Sequence, residues 1–173
     1  MIMKHVVAGL VLELIALAGI LLLSLGFPSG LSRGAYVVFA QLMSTYLVHC
    51  PAHFVVGMAV GVRFRELRLG KTSLARALPN KLKGLARRLP VLTLVSDKSS
   101  LSKVSRRGRA AMYVSGTVSS AASAFAIAAA STLVEEPPYF LLSWAVALAY
   151  LAFDLVFSPK SGDLKRARAV LEA

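Results

Sequence analysis

Two histidines, His49 and His53, stand four residues apart inside the stretch Tyr46 to Gly70, YLVHCPAHFVVGMAVGVRFRELRLG. On a helix this spacing is just over one turn, so both imidazoles project from one face, ~6 Å apart along the axis. Such a pair offers two nitrogen ligands to one metal ion. A metal that activates water for hydrolysis also needs a proton acceptor nearby, and the position after His49 holds Cys50 in place of a carboxylate. A lone cysteine in an apolar run reads first as a small packing residue. Two acids lie in apolar surroundings elsewhere, Glu13 and Asp154. A carboxylate there is costly unless paired.

Composition says what must position these residues. Of 173 residues, 57% are hydrophobic, and they fall in runs of membrane-crossing length, which excludes a single soluble core. The formal charge of +12 would suggest nucleic acid in a soluble domain, but its location argues otherwise. From Arg63 to Arg109 there are fourteen Lys and Arg against Glu66 and Asp97, and the remainder of the chain cancels. Facing a membrane, Arg63, Arg65, Arg68, Lys71, Arg106, Arg107 and Arg109 read as a topology signal and as partners for anionic lipid head groups. Nucleic acid is the lesser reading. The single cysteine excludes an intrachain disulfide.

The expected fold class is an all-α membrane protein with four transmembrane helices, forming one multi-pass domain over residues 1–173. The first run is His5 to Phe27, expected as a retained helix because its apolar region is long for a signal peptide and ends in the turn-like GFPSG. The second, 35–62, carries the histidines, with Pro51 predicting a kink or local opening beside them. Gly57 and Gly61 form a GxxxG pair, read as a helix-packing face. In VRFRELRL, apolar residues alternate with charged ones, which predicts a short β segment at the cytoplasmic surface. The rest of the basic loop, to residue 109, is expected as one or two interfacial helices plus loop. A third run, 110–134, is rich in Ala, Ser and Gly and is expected at the bundle centre, where small residues let backbones approach. The last run is 139–157, followed by a polar, basic tail, 158–173. With the basic loop in the cytoplasm both termini lie there too, and only Arg33 among the cations faces outward.

The segment from His49-Cys50-Pro51-Ala52-His53 to Gly70 resembles the first motif of the site-2 protease family, intramembrane zinc metalloproteases with HExxH on a membrane helix. Arg106 to Ser120 resembles the family's next segment, with Ser115-Gly116-Thr117 at its AGP and Ser120 near its Asn. Phe157 to Leu164, FSPKSGDL, is similar to the segment that brings an aspartate as third zinc ligand. The resemblance implies a three-helix catalytic core with His5 to Phe27 as an extra helix, and zinc held by His49, His53 and Asp163. It also implies a transmembrane-helix substrate or partner.

Departures from the family pattern set the functional expectation. Cys50 occupies the general-base position and is a poor base. Lys160 and Lys165 flank Asp163 and prefer water, while His49 lies ~20 Å from Arg63 along a straight helix. Asp163 therefore reaches the histidines only if its segment folds back into the bundle. Glu13 and His53 share a depth of ~14 Å, which makes Glu13 a candidate partner or relocated base. Asp154 is the alternative third ligand. The leading expectation is a non-catalytic or altered homologue, a pseudoprotease. The alternatives are an active zinc-dependent intramembrane protease, or a structural membrane protein whose basic loop docks on lipid or a cytoplasmic complex.

Overall fold

The computed structural model describes residues 2–26, 30–71 and 90–173. Helix α1, Ile2–Gly26, is followed by α2, Leu31–Leu47, and α3, His49–Ala59. Strand β1, Phe64–Lys71, pairs antiparallel with β2, Pro90–Ser96. A short helix α4, Lys98–Lys103, leads into α5, Arg106–Val134. Helices α6, Pro137–Ser161, and α7, Asp163–Glu172, complete the chain. Among the described residues, four segments are long and apolar enough to cross a membrane: His5–Leu23, Leu31–Ala59, Arg106–Val134 and Pro137–Ser161. Their outer faces carry bare leucines, Leu12, Leu22, Leu133 and Leu155 among them. Leu133 is 85% exposed. Such a surface requires lipid around it.

Pro51 interrupts the second crossing as expected, with the break at Val48. The Val48 and Ala52 amides keep their helical bonds, to Ser44 and Val48. The missing donor of Pro51 falls in the first turn of α3, where it costs least. At the other end of α3, Gly61 adopts a left-handed φ of 93° while the Val62 amide donates to the Gly57 carbonyl at 2.8 Å. The GxxxG reading thus divides. Gly61 is a helix cap, whereas Gly57 packs, since a Cβ there would lie 2.8 Å from Phe64 Cε2 and 3.2 Å from Met112 Sδ.

The period-two segment is a strand, with Arg65 and Arg68 exposed along it. Its partner β2, in a region expected to hold only helix and loop, folds back beside α3, so that Leu92 lies level with Tyr46 and Cys50. The run Val91-Leu92-Thr93-Leu94-Val95 carried the signal, since β-branched and apolar residues favour an extended, half-buried chain. The Leu92 amide donates to Tyr46 Oη at 3.2 Å, and the Cys50 thiol donates to the Leu92 carbonyl at 3.3 Å. These two bonds satisfy the Leu92 backbone groups that face away from β1. On the other side, β1 lies against α1, where a Cβ on Gly9 would sit 2.6 Å from Leu67 Cδ2. Val6, Leu10, Cys50, Val62, Phe64 and Met112 fill the core between them. Expectations placed on 72–89 lie outside the described residues.

Helix α5 is central as its small residues predicted, touching α2, α3, α6 and α7. Four of its serines are satisfied within the helix: Ser115, Ser119, Ser123 and Ser131 each donate to the carbonyl three residues earlier. In α2, Gln41 is fully buried. Its amide donates to the carbonyls of Ala124 at 2.9 Å and Ser143 at 3.0 Å, and its oxygen accepts from the Ser143 hydroxyl at 3.0 Å. That one side chain ties three crossings together. Nearby, Arg33 pairs with Glu135 at 2.6 Å, linking the start of α2 to the end of α5.

The largest departure from the sequence reading is at the C-terminus. Residues 158–173 were expected as a polar tail, and they are helical. Helix α6 runs on through Pro159 to Ser161, the chain turns at Gly162, and α7 packs back against α5 and α6. Ser158 fixes the turn, its carbonyl accepting from Gly162 N at 2.8 Å and its hydroxyl from Leu164 N at 3.3 Å. A Cβ on Gly162 would stand 2.8 Å from Ser158 Oγ and 3.0 Å from its Cα, so the turn requires glycine.

Candidate metal centre

His49 and His53 open α3 on the face turned to α5, and the turn at Gly162 delivers Asp163 to the same point. Asp163 Oδ2 lies 3.0 Å from His49 Nε2 and 3.1 Å from His53 Nε2. The two Nε2 atoms are 3.1 Å apart. The three side chains form a group whose ligand atoms all lie within 4.8 Å of one another and could hold a metal ion.

The other ring nitrogens settle what these atoms offer. His53 Nδ1 is 2.6 Å from the Met112 carbonyl, which can only accept, so Nδ1 carries the hydrogen. Ser120 donates its own hydroxyl hydrogen to the Thr45 carbonyl at 2.7 Å, leaving its oxygen to accept from His49 Nδ1 at 3.1 Å. In the neutral rings both Nε2 atoms are then bare, and with Asp163 Oδ2 three lone pairs converge with no hydrogen between them. Only a cation at the centre relieves that repulsion, either a metal ion or protons. Where protons fill the centre, burial pushes the Asp163 carboxyl up, but hydrogen bonds from the protonated His49 and His53 outweigh this and hold it well below the usual carboxylate range. Arg166 adds a contact at 3.3 Å to Asp163 Oδ1 from an exposed position.

Space is reserved as well. Gly116 on α5 faces the imidazoles, and a Cβ there would overlap His53 Nε2 and lie 2.6 Å from His53 Cε1 and 2.8 Å from His49 Cε1. The donor set and this cradle both fit a metal ion. His49 keeps about a third of its side chain exposed, so the centre has an open face.

Other candidates are placed apart from the centre. Cys50, one residue on from His49, is turned roughly 100° around the helix and spends its thiol hydrogen on Leu92. Glu13 is buried at 6% exposure, and neither carboxylate oxygen has a hydrogen-bond partner. It lies within electrostatic reach of Cys50 and Tyr46, on the strand side of α3, and makes no bond to either imidazole. Asp154 lies within electrostatic reach of His49 and Asp163. Among the cations, Arg63, Arg106 and Arg107 are exposed, Arg65 and Arg68 are exposed but paired with Asp97 and Glu66, and Arg109 is half-buried. Lys71 contributes its backbone to β1.

No family model, curated protein or solved structure matches this chain. The site is therefore read from its own atoms. Sequence reasoning did not find the two carbonyls, of Thr45 and Met112, that orient the serine and the second imidazole. Main-chain acceptors leave no signature in residue type. The sequence gives Ser120 only a place near a motif position, and the structure puts that hydroxyl on His49.

Proposed function

We propose that this protein is a divergent relative of the site-2 proteases, a multi-pass membrane protein that keeps a divalent metal centre, with zinc favoured, and has lost or altered proteolysis. The observation that carries the reading is the convergence of His49, His53 and Asp163 on one point, with both Nε2 atoms stripped of hydrogen by fixed partners. Ligands held tetrahedrally at about 2.0–2.1 Å from zinc lie about 3.3 Å apart, close to the separations between these three atoms. A metal bound there would act as a Lewis acid toward water or a carbonyl. His53 and His49 are oriented for it by Met112 and Ser120, and Asp163 supplies the anionic ligand.

Loss or alteration of catalysis follows from Cys50. A hydrolytic centre needs a group that takes a proton from water and returns it to the leaving amine. Cys50 faces β2, and its hydrogen is committed to the Leu92 carbonyl. The bundle would then hold or regulate a transmembrane partner. On the same reading the exposed arginines at the sheet end face anionic head groups, with both termini cytoplasmic.

Elemental analysis of the purified, detergent-solubilised protein tests this reading. Near one zinc per chain is expected, falling to none in the double variant His49→Ala/His53→Ala. Metal-free protein after zinc reconstitution would end the metal-centre reading.

A further inference from the structure

Among the described residues, Glu13, which is buried, and Asp154, which is half-buried, each carry a buried oxygen with no hydrogen-bond partner, and they face different things. Glu13 looks toward Cys50 and Tyr46, across α3 from the metal ligands. Asp154 looks toward the ligands themselves. It stands on α6 one turn beyond Tyr150 and one turn before Ser158, on the same helical face as both. Tyr150 meets the hydroxyl of Ser120, which orients His49. Ser158 accepts from Leu164 N, beside Asp163. Asp154 is thus bracketed by two residues that each touch a support of the centre, and its Oδ2 is buried with no hydrogen-bond partner.

Charge gives a second, independent reason. Two neutral imidazoles and one carboxylate leave a net +1 around a divalent ion. Net charge in a low-dielectric bundle is expensive. Arg166, itself a cation, adds to that charge and does not offset it. One further carboxylate makes the centre neutral.

We propose that Asp154 is the outer carboxylate of the metal centre, accepting a hydrogen bond from water on its open face and balancing its charge. Asp154 does not belong to the group of mutually close ligand atoms, so it acts through water and not as a ligand. It is a positioning residue, placed on α6 within electrostatic reach of His49 and Asp163. The inference rests on the metal-centre reading and deepens it.

The test is titration of the metal-free, detergent-solubilised chain with Zn²⁺, and with Co²⁺ followed by its visible d–d absorption. Asp154→Asn is expected to weaken affinity ~10- to 100-fold and to shift the Co²⁺ spectrum, with helical content by circular dichroism unchanged. Asp154→Glu should restore most of the affinity. If the unmodified chain binds metal and Asp154→Asn binds it equally well with the same spectrum, the proposal is overturned while the metal centre stands. If Glu13→Gln lowers the affinity and Asp154→Asn does not, the outer carboxylate is Glu13 and the proposal is equally overturned. An unmodified chain that binds neither ion overturns both readings.

Discussion

The Gln41 cluster and the histidine cluster are both polar groups buried against α5, and they differ in how donors and acceptors are matched. Around Gln41 every hydrogen has an acceptor: two amide hydrogens go to two carbonyls, and the Ser143 hydroxyl returns one to the amide oxygen. Around His49, His53 and Asp163 the outer nitrogens are equally well served, but the inner three atoms have only lone pairs. A matched network closes a structure. An acceptor-rich one demands something positive from outside.

Three substitutions test that contrast. Gly116→Ala should have the largest effect, abolishing zinc binding by elemental analysis because its Cβ collides with both imidazoles while the helix gains a good helix former. If Gly116→Ala retains metal, the cradle is not part of the site. Ser120→Ala should come next, weakening zinc affinity ~10- to 100-fold by freeing His49 to rotate, as read by competition with a chelating dye. An unchanged affinity would mean that the hydroxyl does not set the ring. Gln41→Leu should have the smallest effect on the centre, leaving zinc stoichiometry intact while lowering resistance to unfolding by ~0.6–2 kcal/mol, the span for interhelical hydrogen bonds in membranes. Loss of metal in Gln41→Leu would show that the two clusters are one cooperative unit.

Hydropathy made the four crossings legible, along with the central place of α5 and the break near Pro51. The i, i+4 spacing put both imidazoles on one face, whereas the commitment of the Cys50 thiol to Leu92 came only with the tertiary structure. The partner of the strand was not legible. Alternation marks a strand, but only the tertiary structure pairs it with β2 and sets Leu92 against Tyr46 and Cys50. The tail was misread for a related reason. Lys160 and Lys165 suggested water, yet both side chains are exposed while the backbone between them turns inward.

From the sequence alone came a membrane-spanning chain with a histidine pair at mid-helix and its positive charge gathered in one segment. These depend on neighbours along the chain, and a sliding window can read them. Whether the pair has a third ligand depended on Asp163, 114 residues from His49 and 110 from His53. That was decided by a glycine turn held by Ser158, by a glycine on α5 that leaves room for two rings, and by carbonyls that fix their hydrogens. Convergence of this kind is a property of packed backbones, which residue types along the chain do not encode one by one.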